Sequence, residues 1–287
     1  MFTHTLKRLS QASAVGLGLL ALSSAQASNI DDVLAAQPDD VQARYEFRHP
    51  KETLDFFGIT EGMTVVEALP GGGWYSKILL PVLGTEGQLI GVDYAMDMWS
   101  NFSFMTPERI EAKKTWVSTW TDQANDWRVD SDASVSAFQF NDMPEEMSET
   151  ADAVLFIRAL HNLSRFEEKG GYLTNAMQET YAVLKPGGIV GVVQHEALED
   201  RPDDWANGSN GYLKKSALIA TFKANGFEFV GESDINSNPK DTANEGDFVW
   251  RLPPSLSGSK DDAEKKAKME EIGESNRMTL LFKKPSA

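Results

Sequence analysis

The chain has no cysteine. Disulfides, thiolate metal sites and cysteine nucleophiles are therefore excluded, and stability has to come from a buried core. Basic residues are also scarce. Lys and Arg number 27 against 43 Asp and Glu, for a formal charge of −16 over 287 residues. Such a surface repels nucleic acid and anionic lipid, so neither is expected as a partner. Histidine is rarer still, at four residues. No apolar run beyond the N-terminal segment is long enough to cross a bilayer.

What is present begins with a leader. Lys7 and Arg8 give a basic start, Ala14 to Leu22 a short apolar run, and Ala25-Gln26-Ala27 a small-x-small cleavage pattern. Residues 1–27 thus read as a secretory signal peptide. They predict a periplasmic or secreted protein with no membrane insertion after cleavage, and a mature chain, 28–287, of charge −18. Its length suits one α/β domain.

The most informative stretch is TVVEALPGGGWY, residues 64–75. A buried strand ends in Glu67, a turn carries Gly71, Gly72 and Gly73, and an apolar helical pattern follows from Trp74 to Leu83. Glycine lets backbone approach a ligand, and a helix N-terminus offers free N–H groups. About twenty residues on, GQLIGVDYA ends a second strand in Asp93, a spacing that suits a carboxylate accepting from ribose hydroxyls. Five further strands are expected at 134–140, 153–158, 189–195, 227–235 and 278–283, with helices between them. Alternating strands and helices imply a mostly parallel sheet with helices on both faces. Residues 236–273, rich in Asn, Pro, Asp, Gly and Ser, read as an irregular insertion between the last two strands, with a short solvated helix in 260–271.

With the glycine turn, the acid of the second strand and the Lys185-Pro186-Gly187-Gly188 turn in this order, the chain resembles the class I S-adenosylmethionine-dependent methyltransferases. The segments VVEALPGGGWYSKIL, LFIRALHNL, LKPGGIVGVVQHEA, NSNPKDT, VWRLPPSL and IGESNRMTLLFKKP are similar to those of a family of exported methyltransferases. The resemblance implies a Rossmann-like seven-stranded sheet with a reversed last strand, and S-adenosylmethionine as cofactor. It places Glu67, Gly71 and Gly73 in the first cofactor motif, Asp93 at the ribose and Asp142 at the adenine amino group, and makes Asp152 structural. Leu69 departs from the motif, standing where the first glycine belongs, with Pro70 after it. Either the turn is reshaped, or the ligand differs, or cofactor binding has been lost.

Chemistry in open α/β sheets gathers outside the carboxyl ends of the strands. The fourth strand ends near Arg158, His161 and Asn162, the fifth at Gln194, His195 and Glu196. Arg48-His49-Pro50 precedes the first strand. Tyr45 and Tyr212 are candidate walls, and the insertion offers Asn238, Lys240, Asp241, Glu274, Asn276 and Arg277. A small-molecule substrate is expected, with His161 or His195 as the base for an acceptor hydroxyl or amine and Arg158 or Arg277 orienting an acidic substrate. Two alternatives stay open. One is a non-catalytic binding protein on the same scaffold. The other is a metal-dependent enzyme using His49, His161 and His195 with Glu196 or Asn162, although no short-spaced ligand pair supports a metal site.

Overall fold

The computed structural model describes residues 29–286; the leader at 1–27 lies outside the described residues. Eight strands form one sheet: β1 (Thr64–Ala68), β2 (Gln88–Asp93), β3 (Ser134–Gln139), β4 (Ala151–Ile157), β5 (Leu184–Ala197), β6 (Leu213–Lys214), β7 (Glu228–Ser233) and β8 (Arg277–Lys283). The order is β3-β2-β1-β4-β5-β8-β7, with β6 paired to the end of β5. β8 runs antiparallel to both β5 and β7, whereas the pairs from β3 through β5 are parallel. The expected architecture is present, with one correction. The sheet has eight strands and not seven, because Leu213–Lys214 pairs with Glu196–Ala197. Two residues are too few for any periodicity to announce a strand.

Side-chain alternation explains the layers. Val66, Ile90, Val154, Phe156, Val190 and Val192 enter one apolar core. Their neighbours Val65, Leu89, Ala153, Leu155 and Val193 enter another on the opposite face. A strand with both faces covered reads as an unbroken apolar run, as AVLFI does. Gly91, in the centre of β2, leaves room for the Trp120 ring, whose atoms would lie 2.7 Å from an added Cβ.

Several connecting helices are short and broken: Asp39–Gln42 is followed by Tyr45–Arg48, and Pro107–Lys113 by Trp116–Trp127. Asp152, expected to be structural, accepts from Thr64 N at 2.8 Å and from Lys185 Nζ at 2.6 Å, tying β1, β4 and the start of β5 together. The segment between β7 and β8 is mostly irregular but anchored. Asp241 takes bonds from the Tyr212 hydroxyl (3.0 Å) and the Arg251 guanidinium (2.9 Å), all three groups being buried. Its helix, Ala263–Ile272, has no buried residue.

Candidate functional site

The turn after β1 opens the site. Leu69 adopts φ +57°, followed by Gly71 at +56° and Gly73 at +74°. Leucine thus occupies the left-handed conformation at the position where the motif has glycine, at a cost of roughly 1–2 kcal/mol. The turn thus carries a side chain at that position. Glu67, 3 % exposed, does not face the cavity but accepts from the Ser76 hydroxyl at 2.6 Å, fastening the strand end to the helix Ser76–Leu83. Burial pushes its carboxyl up to about 7, against the opposing Ser76 hydrogen bond. Gly73 backs onto Trp127, with ring atoms 2.3 Å from where its Cβ would be, while Gly72 faces open space. The third glycine is thus required by a tryptophan of the fold itself.

Beyond this turn lies a cavity of about 550 Å³ over the ends of β1, β4 and β5. Leu69 to Gly72 form one wall, Arg158, His161 and His195 the next, Trp250 to Ser255 of the insertion a third, and Arg44 and Arg48 the last. Two features set its chemistry. The first is a pair of imidazoles, His161 and His195, with ring centroids 5.6 Å apart. His195 Nδ1 lies 2.6 Å from the Ser275 hydroxyl, and His161 Nδ1 is buried with no partner among the described residues. Burial, with the positive charge of Arg158 added, pulls His161 down to about 4, the Gln194 amide opposing. Burial and then His161 hold His195 well below the ordinary histidine range. Both rings are neutral at neutral pH, the state a proton acceptor needs.

The second feature is a guanidinium cluster around Glu274. This carboxylate, 3 % exposed, accepts from Arg44 (Nε, 2.9 Å), Arg48 (Nε, 3.1 Å) and Arg277 (Nη1, 3.1 Å). Burial alone would raise its pKa, but Arg277, Arg48 and Arg158 together outweigh burial and hold it below the usual carboxylate value. Burial and the neighbouring cations pull Arg48 down to about 9, still protonated at neutral pH. The Arg48 guanidinium also stacks on Trp74, 4.4 Å from the ring centroid.

The expected cofactor acids lie further along the edge. Asp93, at the end of β2, is buried and already paired with Lys113 Nζ at 2.8 Å, and that ammonium sits 3.9 Å from the Trp99 ring centroid. Burial raises the Asp93 carboxyl even so, with Lys113 opposing. Asp142 is exposed and lines a groove of about 400 Å³ with Met96, Asp97 and Gln139, outside the ends of β2 and β3.

Of the expected site residues, the structure gathers Arg158, His161, His195, Gly71 and Glu274 at one cavity, with Trp74. Arg277 stands behind Glu274, bonded to it and to the Phe47 carbonyl, and does not line that cavity. His49 borders a separate hollow with Asn236 and Asn238. Tyr212 is fully buried against Asp241, and Asn162 bonds the Tyr94 hydroxyl. Among the described residues no group of three His, Asp or Glu is placed to hold a metal ion. Sequence reasoning missed Arg44, Lys113, Trp250 and Ser275. Arg44 had a signal, since it lies four residues before Arg48, on the same face of a helical segment.

No family model matches the chain, and no curated protein matches it in sequence. Solved structures do match in shape. The geranyl diphosphate C-methyltransferase of Streptomyces coelicolor A3(2), solved with Mg2+, geranyl diphosphate and S-adenosylhomocysteine, aligns with a TM-score of 0.51 at 14% identity, covering 89% of this chain and 88% of that one. The cyclase SpnF aligns with a TM-score of 0.50 at 18% identity, covering 84% and 81%. One is named for methyl transfer and the other for cyclisation, so what they share is architecture. The chain has the Rossmann-like methyltransferase fold, with a mostly parallel sheet and a reversed C-terminal strand.

Proposed function

We propose that this chain is an exported enzyme that transfers a methyl group from S-adenosylmethionine to an oxygen or nitrogen of a small molecule. The observation that carries this reading is the cavity where the Leu69–Gly72 turn faces two neutral imidazoles. The cofactor's residues fit in part. Gly71 and Gly72 leave open backbone beside the cavity, and Asp142 borders a groove of adequate size at the β2–β3 end. Between them Asp93 accepts from Lys113 through Oδ2, so ribose hydroxyls binding there share the carboxylate with that ammonium.

When bound, S-adenosylmethionine supplies an activated methyl group for in-line displacement, a reaction in which alignment does most of the work. The chain's own contribution would lie in three groups. His161 is a neutral base whose Nδ1 has no partner among the described residues, with the Gln194 amide nearby. His195 is held by Ser275, which sets its ring orientation. Trp250, packed edge-on 5.7 Å from His161, shields the imidazole from bulk water. The leader at 1–27 supports a periplasmic or secreted location.

A second reading, a binding protein of this fold without methyl transfer, is favoured by the Asp93–Lys113 pair and by Leu69 in the turn. Calorimetric titration of the mature protein with S-adenosylmethionine and S-adenosylhomocysteine separates the two. Micromolar binding of both supports transfer; no heat from either at about 1 mM removes it and leaves the second reading.

A further inference from the structure

We propose that Arg158, with Arg48 beside it, forms an oxyanion subsite that seats the carboxylate or phosphate of the acceptor molecule, separately from any cofactor. Four guanidiniums, of Arg44, Arg48, Arg158 and Arg277, surround a single carboxylate, Glu274. Three of them hydrogen-bond it, and Arg158 does not. The Arg158 Nε is buried without a partner among the described residues. A guanidinium withdrawn from water without a counter-charge is costly, and one remaining carboxylate cannot serve four. An oxyanion entering the cavity supplies the missing charge and matches the planar fork of donors that arginine presents.

The backbone supports the same assignment. Arg158 closes β4 at φ +59°, a conformation that disfavours any residue with a side chain, and its N–H is fixed to the Val193 carbonyl at 2.6 Å. Strain of this kind persists where the surroundings demand it, commonly at ligand sites. Composition does not explain the cluster, since the whole chain carries −16. A cationic hollow in an acidic protein focuses small anions toward itself. The rest of the cavity is apolar at Ile157, Trp74, Trp250 and Leu252, so the anionic head belongs to a ligand with an apolar or planar body. The ligand's role as acceptor rests on the methyl-transfer reading; the subsite itself rests on the guanidinium geometry alone.

The test is calorimetry on the full mature chain with benzoate, inorganic phosphate and uncharged benzamide, each with and without saturating S-adenosylhomocysteine. Benzoate or phosphate should bind and benzamide should not, and the tighter anion identifies the headgroup. Arg158→Met should weaken that binding about tenfold or more, Arg158→Lys by less, and the exposed Lys223→Gln not at all. Equal binding of benzamide, or full affinity in Arg158→Met, overturns the proposal. So does displacement of the anion by S-adenosylhomocysteine, because the guanidiniums would then serve the cofactor's own carboxylate. Should Arg158→Met fail to fold, Arg158→Lys decides alone, since it keeps the charge and loses the fork, and unchanged affinity there is also fatal. Anion binding without any S-adenosylmethionine binding would remove the transfer reading and leave the subsite standing.

Discussion

At the β2–β3 end of the sheet the buried acid Asp93 has its own cation, Lys113, in contact. At the β1–β4–β5 end three arginines share Glu274 and a fourth, Arg158, has no acid in contact among the described residues. The two ends lie along one edge, yet one is electrically complete and the other is not. A matched pair can persist without a ligand, whereas an excess of buried cations leaves a place for one. The difference teaches where along the edge an incoming anion gains most, and where a ligand has to share a carboxylate with a resident cation.

The largest way to break this contrast is to remove the acid from the cationic end. Glu274→Gln leaves Arg44, Arg48 and Arg277 facing one another with no carboxylate. Breaking a buried pair by deleting one partner typically costs about 3–5 kcal/mol. Urea unfolding should show a loss of that order. A loss below about 1 kcal/mol, as for a surface pair, would mean that the arginines are hydrated and the excess charge is not felt.

The next effect is a pair of opposed pH dependences. Glu67, raised to about 7, holds its proton more tightly folded than unfolded, so its contribution is full below about 4.3 and is lost as pH rises toward 7. His161, lowered to about 4, works the other way. Its neutral form is favoured in the fold, so its contribution is full above about 6.5 and is lost as pH falls through 4. The two nearly cancel between pH 4 and 7, each being worth roughly 3 kcal/mol across the window. His195, lowered in the same sense, tips the native chain toward greater stability at neutral pH. Glu67→Gln should therefore steepen the loss of stability on acidification, and His161→Gln should flatten it. Chemical unfolding at a series of pH values measures both slopes; a change of slope in the same direction in the two variants would contradict the assignment.

Much of the cavity's frame was legible because local rules write it. Buried parallel strands announce themselves as apolar runs, the turn at 69–73 by its glycines, and strand ends by the polar residue that follows, which is how Arg158, His161 and His195 were found. Pro186 marked the stop of the helix Tyr172–Val183, although β5 begins at Leu184, earlier than the apolar run suggests. What stayed hidden depends on contacts distant in sequence. Arg44 and Glu274 are 230 residues apart, and nothing local pairs them. Lys113 closes the last turn of a short surface helix, where a lysine ordinarily serves only the helix dipole. That it turns inward to Asp93 follows from that helix lying against Met96–Asn101, just past the end of β2. Asp93 itself was identified by spacing, but its occupancy by a lysine was not.

The smallest expected effect bears most directly on the matched end. Lys113→Met removes the cation from Asp93 while keeping a side chain able to lie on Trp99. The lysine is a quarter exposed, so the pair is worth about 1 kcal/mol or less to stability. Ligand affinity is the sharper readout. If the Asp93 carboxylate takes the ribose hydroxyls of S-adenosylhomocysteine, Lys113 competes for it, and deleting the competitor should tighten binding by up to about fivefold. Asp93→Asn should abolish that gain, which separates a freed carboxylate from a merely loosened helix. Unchanged affinity in Lys113→Met would instead make Asp93–Lys113 part of the scaffold. The cationic end would then be the part of this edge built to receive a ligand.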